Sequence, residues 1–265
     1  MKKARSLQIL GGFTVLFICY QAPQGIYDYL LPNRLVWLAV SAVFFLVAYF
    51  VSCAMGTDGL RGYYFLLHRG WWFNLIVGLA IGIAFSAFAQ LIGNRAGLYA
   101  VDAFVPLRAL LLPMLGIAVG SFFASASEDV LTRSYVLRNG NWRTGAVFVV
   151  VSALIFVLNH IYVLDRGIAL WTFLFVLGIA FAWPLYVTRS VWLTVGMHWG
   201  WNLVYHYTNI GMQTHELESG RTGTWISAVC AAGMFVAGAL AARALPKAAA
   251  NNQPADACAR CVLPR

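Results

Sequence analysis

The chain has 265 residues, of which 61% are hydrophobic, 15% aromatic and only 10% charged, and its mean hydropathy is +0.74. A soluble domain carries about a quarter charged residues, and no soluble core of this size hides so much apolar side chain, which excludes a cytosolic enzyme, a disordered chain and a secreted disulfide scaffold. The formal charge of +9 comes from Lys and Arg scattered between apolar runs, with no basic face interleaved with stacking aromatics, so nucleic acid is not an expected partner.

Stretches free of Asp, Glu, Lys and Arg run over 6–27, 35–55, 71–92, 109–127, 144–164, 167–188, 190–210 and 223–242. A membrane-crossing helix needs about 20 mostly apolar residues, so the pattern predicts an all-α polytopic bundle of about eight transmembrane helices embedded in lipid. The alternating segments of a membrane β-barrel are missing from the sequence. Residues 1–100 read as three N-terminal transmembrane helices, 101–245 as the transmembrane core and 246–265 as a disordered cytoplasmic tail.

The first span follows Met1-Lys2-Lys3-Ala4-Arg5, like the start of a signal peptide, but its exit, Gln21-Ala22-Pro23-Gln24, holds no small-x-small cleavage site. A retained helix is expected. The connections sort the 18 Lys and Arg into 13 on the side of the termini and 5 (Arg34, Arg95, Arg108, Arg166, Arg221) on the other. The positive-inside rule then makes both termini cytoplasmic, and the compact loops suggest a prokaryotic inner membrane. Cys19, Cys53 and Cys230 lie in apolar runs, where a thiol is a small hydrophobe. Cys258-Ala-Arg-Cys261 is a lone CxxC and a weak zinc or redox signal, and the end Cys261-Val-Leu-Pro-Arg is one residue too long for a prenylation box.

An ionisable group inside a membrane is costly and marks function by default. Three polar clusters stand out. Ser127-Glu128-Asp129-Val-Leu-Thr132-Arg133 lies at the inner end of the fourth span, where Asp129 and Arg133 share a helical face and can pair; a helix end surfacing into water is the bland alternative. Phe156-x-x-x-His160, with Asn159 beside the histidine, lies deep in the fifth span. His198-x-x-x-Asn202 lies in the seventh, with His206 and Asn209 on nearly the same stripe. Polar side chains gluing helices together are the alternative there. Together the clusters suit hydrolysis. A Glu takes a proton from water, a His shares or orients it, and a second His and an Asn amide donate to the developing oxyanion. Helical depths counted from the cytoplasmic boundary differ among Glu128, His160 and His198 by up to about 9 Å, a gap that tilt has to absorb. His68 and His215, in connections, are expected in water. Pro184 is expected to kink the sixth helix, and Asn159 is a candidate to orient His160. The Trp residues read as interface anchors and packing residues.

In this order and on these spans the clusters resemble the CPBP family of intramembrane proteases, which includes the type II CAAX prenyl endopeptidases and bacterial abortive-infection relatives. The family's E-E-x-x-x-R appears as Glu128-Asp129-x-x-x-Arg133, its F-x-x-x-H as Phe156-x-x-x-His160, and its H-x-x-x-N as His198-x-x-x-Asn202. The resemblance covers roughly 105–210. It implies that Glu128 and His160 activate water, that His198 and Asn202 stabilise the oxyanion, and that Asp129, Arg133 and Phe156 support them. Two departures stand out: Asp129 replaces the usual second Glu, and Ser134 replaces the Gly that usually follows the Arg. Zinc bound by Glu128, His160 and His198 is possible, with an open fourth position, but the His-Glu-x-x-His helix of zinc proteases is missing; a metal-free mechanism is equally compatible, and no cofactor is assigned.

The function expected is an intramembrane endopeptidase, cleaving a peptide or protein substrate that enters from the cytoplasmic side. The cavity is expected to open toward the cytoplasm or laterally to lipid. The alternative is a non-catalytic immunity or scaffold protein or a small transporter. Convergence of Glu128, His160, His198 and Asn202 on one cavity discriminates them.

Overall fold

The computed structural model describes residues 2–217 and 221–248. Most of the expected CxxC tail therefore lies outside the described residues. The described part is helical, in the order α1 (Lys2–Tyr29), α2 (Arg34–Ala54), α3 (Trp71–Arg95), α4 (Leu107–Asp129), a π turn (Val130–Ser134), α5 (Tyr135–Asn139), α6 (Gly145–Asn159), α7 (Ile168–Thr188), α8 (Trp192–Gly211) and α9 (Arg221–Ala244). Since α4, the π turn and α5 form one continuous rod, eight long rods follow the eight apolar stretches of the sequence. Six rods are long and apolar enough to cross a membrane. The other two depart for separate reasons: α6 has only 15 residues, while α8 has 20 but carries His198, Asn202, His206 and Asn209.

Side chains set the helix ends. Asn33 caps α2 by accepting from the amides of Leu35 and Val36, and Thr144 caps α6 by accepting from Val147. Gly167, at φ +88°, takes the left-handed turn that lets the chain enter α7.

Two faces emerge. On the terminal face, where α1 begins and α9 ends, the connections are pinned together. Trp192 donates to the Leu66 carbonyl, His68 Nε2 meets Ser190 Oγ at 3.0 Å, Tyr135 donates to Ile9, and Ala248 N–H donates to Thr188. His68 is thus buried and hydrogen-bonded, not solvated as expected, because its loop folds under the bundle. Residues 246–248, placed in the tail by the sequence reading, pack here too, with Asn74 donating to the Pro246 carbonyl. On the far face, β1 (Tyr99–Phe104) and β2 (Met212–Glu216) form a small antiparallel ribbon that the sequence reading did not foresee. His215 sits on it, exposed, and pairs with Asp102 at 2.8 Å.

The closest packing joins α3 to α8. Gly78 and Gly82 on α3 face Gly196 and Gly200 on α8, so a Cβ at Gly196 would lie 3.0 Å from the Gly78 Cα. Without lipid-excluding hydrophobic drive, membrane helices gain from such backbone-to-backbone contact. The Gly stripe and the His198–Asn202 stripe lie on opposite sides of α8, which clamps one side of the helix and leaves the other to the site. Helix α7 runs through Pro184 to Thr188, whose hydroxyl donates to the proline carbonyl.

Candidate active site

The acidic cluster is not a helix end in water. The rod continues past it to Asn139, and Glu128 is 4% exposed while Asp129 and Arg133 are fully buried. A π turn begins directly after Asp129, with the Tyr135 amide donating to the Val130 carbonyl. Such bulges free carbonyls and re-aim side chains. Here the Thr132 carbonyl accepts from Ser152 on α6, which ties the bulge to its neighbour.

His160 also sits elsewhere than expected. Helix α6 stops at Asn159, about 22 Å from its start, so His160 lies at a helix end and not deep in a span. A continuing helix would give the Phe156 carbonyl to the backbone of residue 160. Instead the His160 ring does so, with Nδ1 2.8 Å from that oxygen. A carbonyl only accepts, so Nδ1 carries the hydrogen and Nε2 of the neutral ring is an acceptor. The Asn159 carbonyl is satisfied by Gln21 of α1 at 2.7 Å. Two orphan carbonyls thus find side-chain donors, and the helix ends where the site begins.

These placements bring three of the proposed catalytic groups together. His160 Nδ1 lies 3.7 Å from Glu128 Oε1, and His198 Nε2 lies 3.6 Å from Glu128 Oε2. The depth gap anticipated among the three helices is closed. Asn202 lines the same cavity, its amide donating to Ser125 Oγ at 3.0 Å and keeping a second N–H. Asp129 does two things. Its Oδ1 accepts from Arg133 and also meets His198 Nδ1 at 3.2 Å. An ionised carboxylate accepts only, so the hydrogen sits on His198 Nδ1 and Nε2 faces Glu128. The shorter acid, one of the two departures from the family pattern, reaches both partners.

Phe156 is the hub of the aromatic packing. Arg133 lies over its ring at 4.4 Å, His160 meets it edge-on at 4.7 Å, and His198 at 5.9 Å. Phe181, which the sequence reading did not single out, stacks on His198 at 4.6 Å and receives the other side of the guanidinium at 5.0 Å.

Asn159 acts on a different partner from the one expected. Its amide donates to Glu128 Oε1 at 2.8 Å, and Gln21 in turn donates to its Oδ1 at 3.1 Å. Gln21–Asn159–Glu128 is therefore a buried relay that fixes the carboxylate. The Tyr20 hydroxyl faces Glu128 from the same helix. Sequence reasoning missed both α1 residues, although a Gln inside the stretch 6–27 is itself a polar group in lipid.

The donors do not fit a three-ligand zinc site as they stand. Each histidine gives its Nδ1 hydrogen to another partner, His160 to the Phe156 carbonyl and His198 to Asp129, which leaves a lone pair on Nε2, but among the described residues no group of three His, Cys, Asp or Glu lies close enough together to hold a metal ion.

The site forms the floor of one cavity of about 1560 Å³, lined by Glu128, Phe156, Asn159, His160, His198 and Asn202. Its walls climb the far halves of α1, α2, α7 and α8, and Gln24, Arg34, Tyr99, Arg166, Glu216 and Thr222 line it near the far face. No residue of the terminal-face connections lines it. The lining reaches the far face and not the terminal one, so cytoplasmic termini and a cytoplasmic mouth do not hold together, while the exposed lining residues Leu35, Leu112 and Leu115 are in keeping with the expected lateral opening to lipid. His206, on the expected stripe, also lines it.

Residues 110–204 fit the model described as Type II CAAX prenyl endopeptidase Rce1-like. The matched segment runs from α4 into α8 and contains Glu128, Asp129, Arg133, Phe156, His160, His198 and Asn202; it leaves out α1, α2, α3 and α9. No curated protein and no solved structure matches the chain significantly.

Proposed function

We propose, for a multi-pass membrane protein that carries an Rce1-like protease domain over residues 110–204, that the cavity floor hydrolyses a peptide bond. The observation that carries this reading is the Glu128 carboxylate held between His160 and His198, at 3.7 and 3.6 Å, at the bottom of a cavity large enough for a chain segment.

Glu128, fixed by Asn159, takes a proton from water, and the resulting hydroxide attacks the scissile carbonyl carbon. His160, with Nδ1 committed to the Phe156 carbonyl, offers Nε2 as an acceptor that orients the water. The carbonyl oxygen becomes an oxyanion. The free N–H of Asn202 donates to it, and so does His198 Nε2 when the ring is protonated. With Nδ1–H already given to Asp129, only the imidazolium has a second hydrogen to give. Glu128 then returns its proton to the leaving amine. A positioned base contributes about 10²–10⁴ in rate, and one oxyanion donor about 10²–10³. The steps use no metal.

The test is turnover of a peptide substrate by the purified protein in proteoliposomes. Glu128→Gln keeps the hydrogen bond from Asn159 and is expected to lose activity by about 10³-fold or more; His160→Ala and His198→Ala are expected to lose it as well. Cells carrying Glu128→Gln should accumulate the uncut substrate. Turnover that persists in Glu128→Ala overturns the mechanism.

A further inference from the structure

We infer that the substrate reaches the site from the non-cytoplasmic side of the membrane, as an apolar polypeptide segment presented there; the inference rests on the hydrolase reading above for what happens at the floor. Two independent observations carry it, one geometric and one electrostatic.

The first is the shape of the cavity. Between Glu128 and the terminal face the bundle is filled by Leu131, Arg133, Tyr135, Phe148, Leu185 and Leu193, none more than 2% exposed. Beyond them the terminal-face loops are cross-pinned by Trp192, His68 and Tyr135. No lining residue comes from that side. A chain end in the terminal-face compartment would have to pass the buried Arg133–Asp129 pair to meet Glu128.

The second is the charge. The structure removes Arg133 from the loop count, since it is buried in an ion pair. Lys2, Lys3, Arg5, Arg61, Arg69, Arg138, Arg143, Arg189, Arg243 and Lys247 remain on the terminal face even without the last residues of the chain, against five on the far face. Cytoplasmic connections are the ones enriched in Lys and Arg. The pinned face is therefore cytoplasmic and the mouth is not.

The walls state the substrate class. Leu38, Phe44, Leu115, Phe173 and Leu177 make the passage apolar, and its volume exceeds the roughly 300–1,000 Å³ of small-molecule pockets. It suits an exported chain, or the outer end of a transmembrane segment, better than a soluble polar peptide.

The experiment reads access and not turnover, so it separates this inference from the hydrolase reading. Cys19 lines the cavity. With the other four cysteines replaced by serine or alanine, it becomes a native probe for a charged, membrane-impermeant methanethiosulfonate. Ser121→Cys, also on the wall, serves as a second deep probe, Arg166→Cys marks the mouth, and Arg61→Cys marks the terminal face. In sealed right-side-out spheroplasts, Arg166→Cys and at least one deep probe are expected to react, and Arg61→Cys is expected to react only in inside-out vesicles. Reaction of the deep probes from the Arg61 side overturns the inference, as does a mouth that labels only in inside-out vesicles or deep probes silent from both sides. Glu128→Gln carrying the same probes should label identically.

Discussion

Toward the terminal face, the layer beneath Glu128 is solid: Arg133, Leu131, Phe148, Leu185 and Leu193 have no exposed surface. Toward the far face, the same helices stand apart around about 1560 Å³ of space. The two regions are made from the same rods, so the difference lies in what each rod offers at each depth. Below the site, aromatic rings enclose a guanidinium, a Gly stripe lets α8 lie against α3, and a π turn is pinned by Ser152. Above it, α6 has already ended. The solid layer holds Glu128 and His198 against one another, and the hollow one leaves space large enough for a chain segment. The proposed hydrolysis needs both, since a base must be held within tenths of an ångström while its substrate enters and leaves.

The comparison breaks most visibly at Arg133. It is buried with Asp129 and sandwiched between Phe156 and Phe181. Removing one partner of a buried pair leaves the other charge uncompensated, at a cost of about 3–5 kcal/mol. Arg133→Met should therefore lower the thermal unfolding midpoint in detergent sharply, and Arg133→Met combined with Asp129→Asn should recover much of the loss. A single variant as stable as the parent would show that the pair does not hold the floor.

The Gly stripe comes next. A side chain at Gly196 runs into the α3 backbone at Gly78 and Leu79, and overpacking costs about 1–3 kcal/mol. Gly196→Leu should destabilise by that amount and push His198 off Glu128. Gly11→Ala, where a Cβ meets nothing within 4 Å, should leave the midpoint unchanged or slightly raised. Equal effects at the two glycines would remove the clamp from the account.

On the hollow side the effect is smaller and kinetic. Gln21→Met deletes both hydrogen bonds from the Gln21 amide to Asn159 without touching Glu128 directly. A net hydrogen bond is worth about 1 kcal/mol, so turnover of the peptide substrate should fall about five- to tenfold while the melting curve barely moves. A rate unchanged from the parent would mean that Asn159 holds the carboxylate unaided.

The sequence exposed some of this architecture and hid the rest. The eight rods were legible because charge-free stretches are long and lipid imposes helices. Glu128, His160, His198 and Asn202 were legible because polar groups in such stretches are few. The end of α6 was not, because no proline or glycine marks it; His160 and Gln21 end it from outside the backbone pattern. Nor was the depth of Glu128, since a charged run resembles a helix end until Phe156, Phe181 and Thr132 are seen to enclose Arg133, one turn further along the rod. Gly78, Gly82, Gly196 and Gly200 were in plain view as two small-x-x-x-small pairs, but only the fold tells which helix faces which.

The smallest effect tests the solid layer from within. Ser134, one of the two departures from the resembled family's pattern, is fully buried, and its hydroxyl finds no partner among the described residues. A buried polar group left without a hydrogen bond costs about 1–3 kcal/mol. The methyl group of alanine removes that group, keeps nearly the same volume and favours helix. Ser134→Ala should thus raise the unfolding midpoint modestly, with peptide turnover unchanged because the hydroxyl makes no hydrogen bond to any of the reacting groups. A lower midpoint would mean that the hydroxyl is satisfied after all, by solvent reaching the π turn. The floor would then be wetter than its packing implies, and the contrast between the two halves correspondingly weaker.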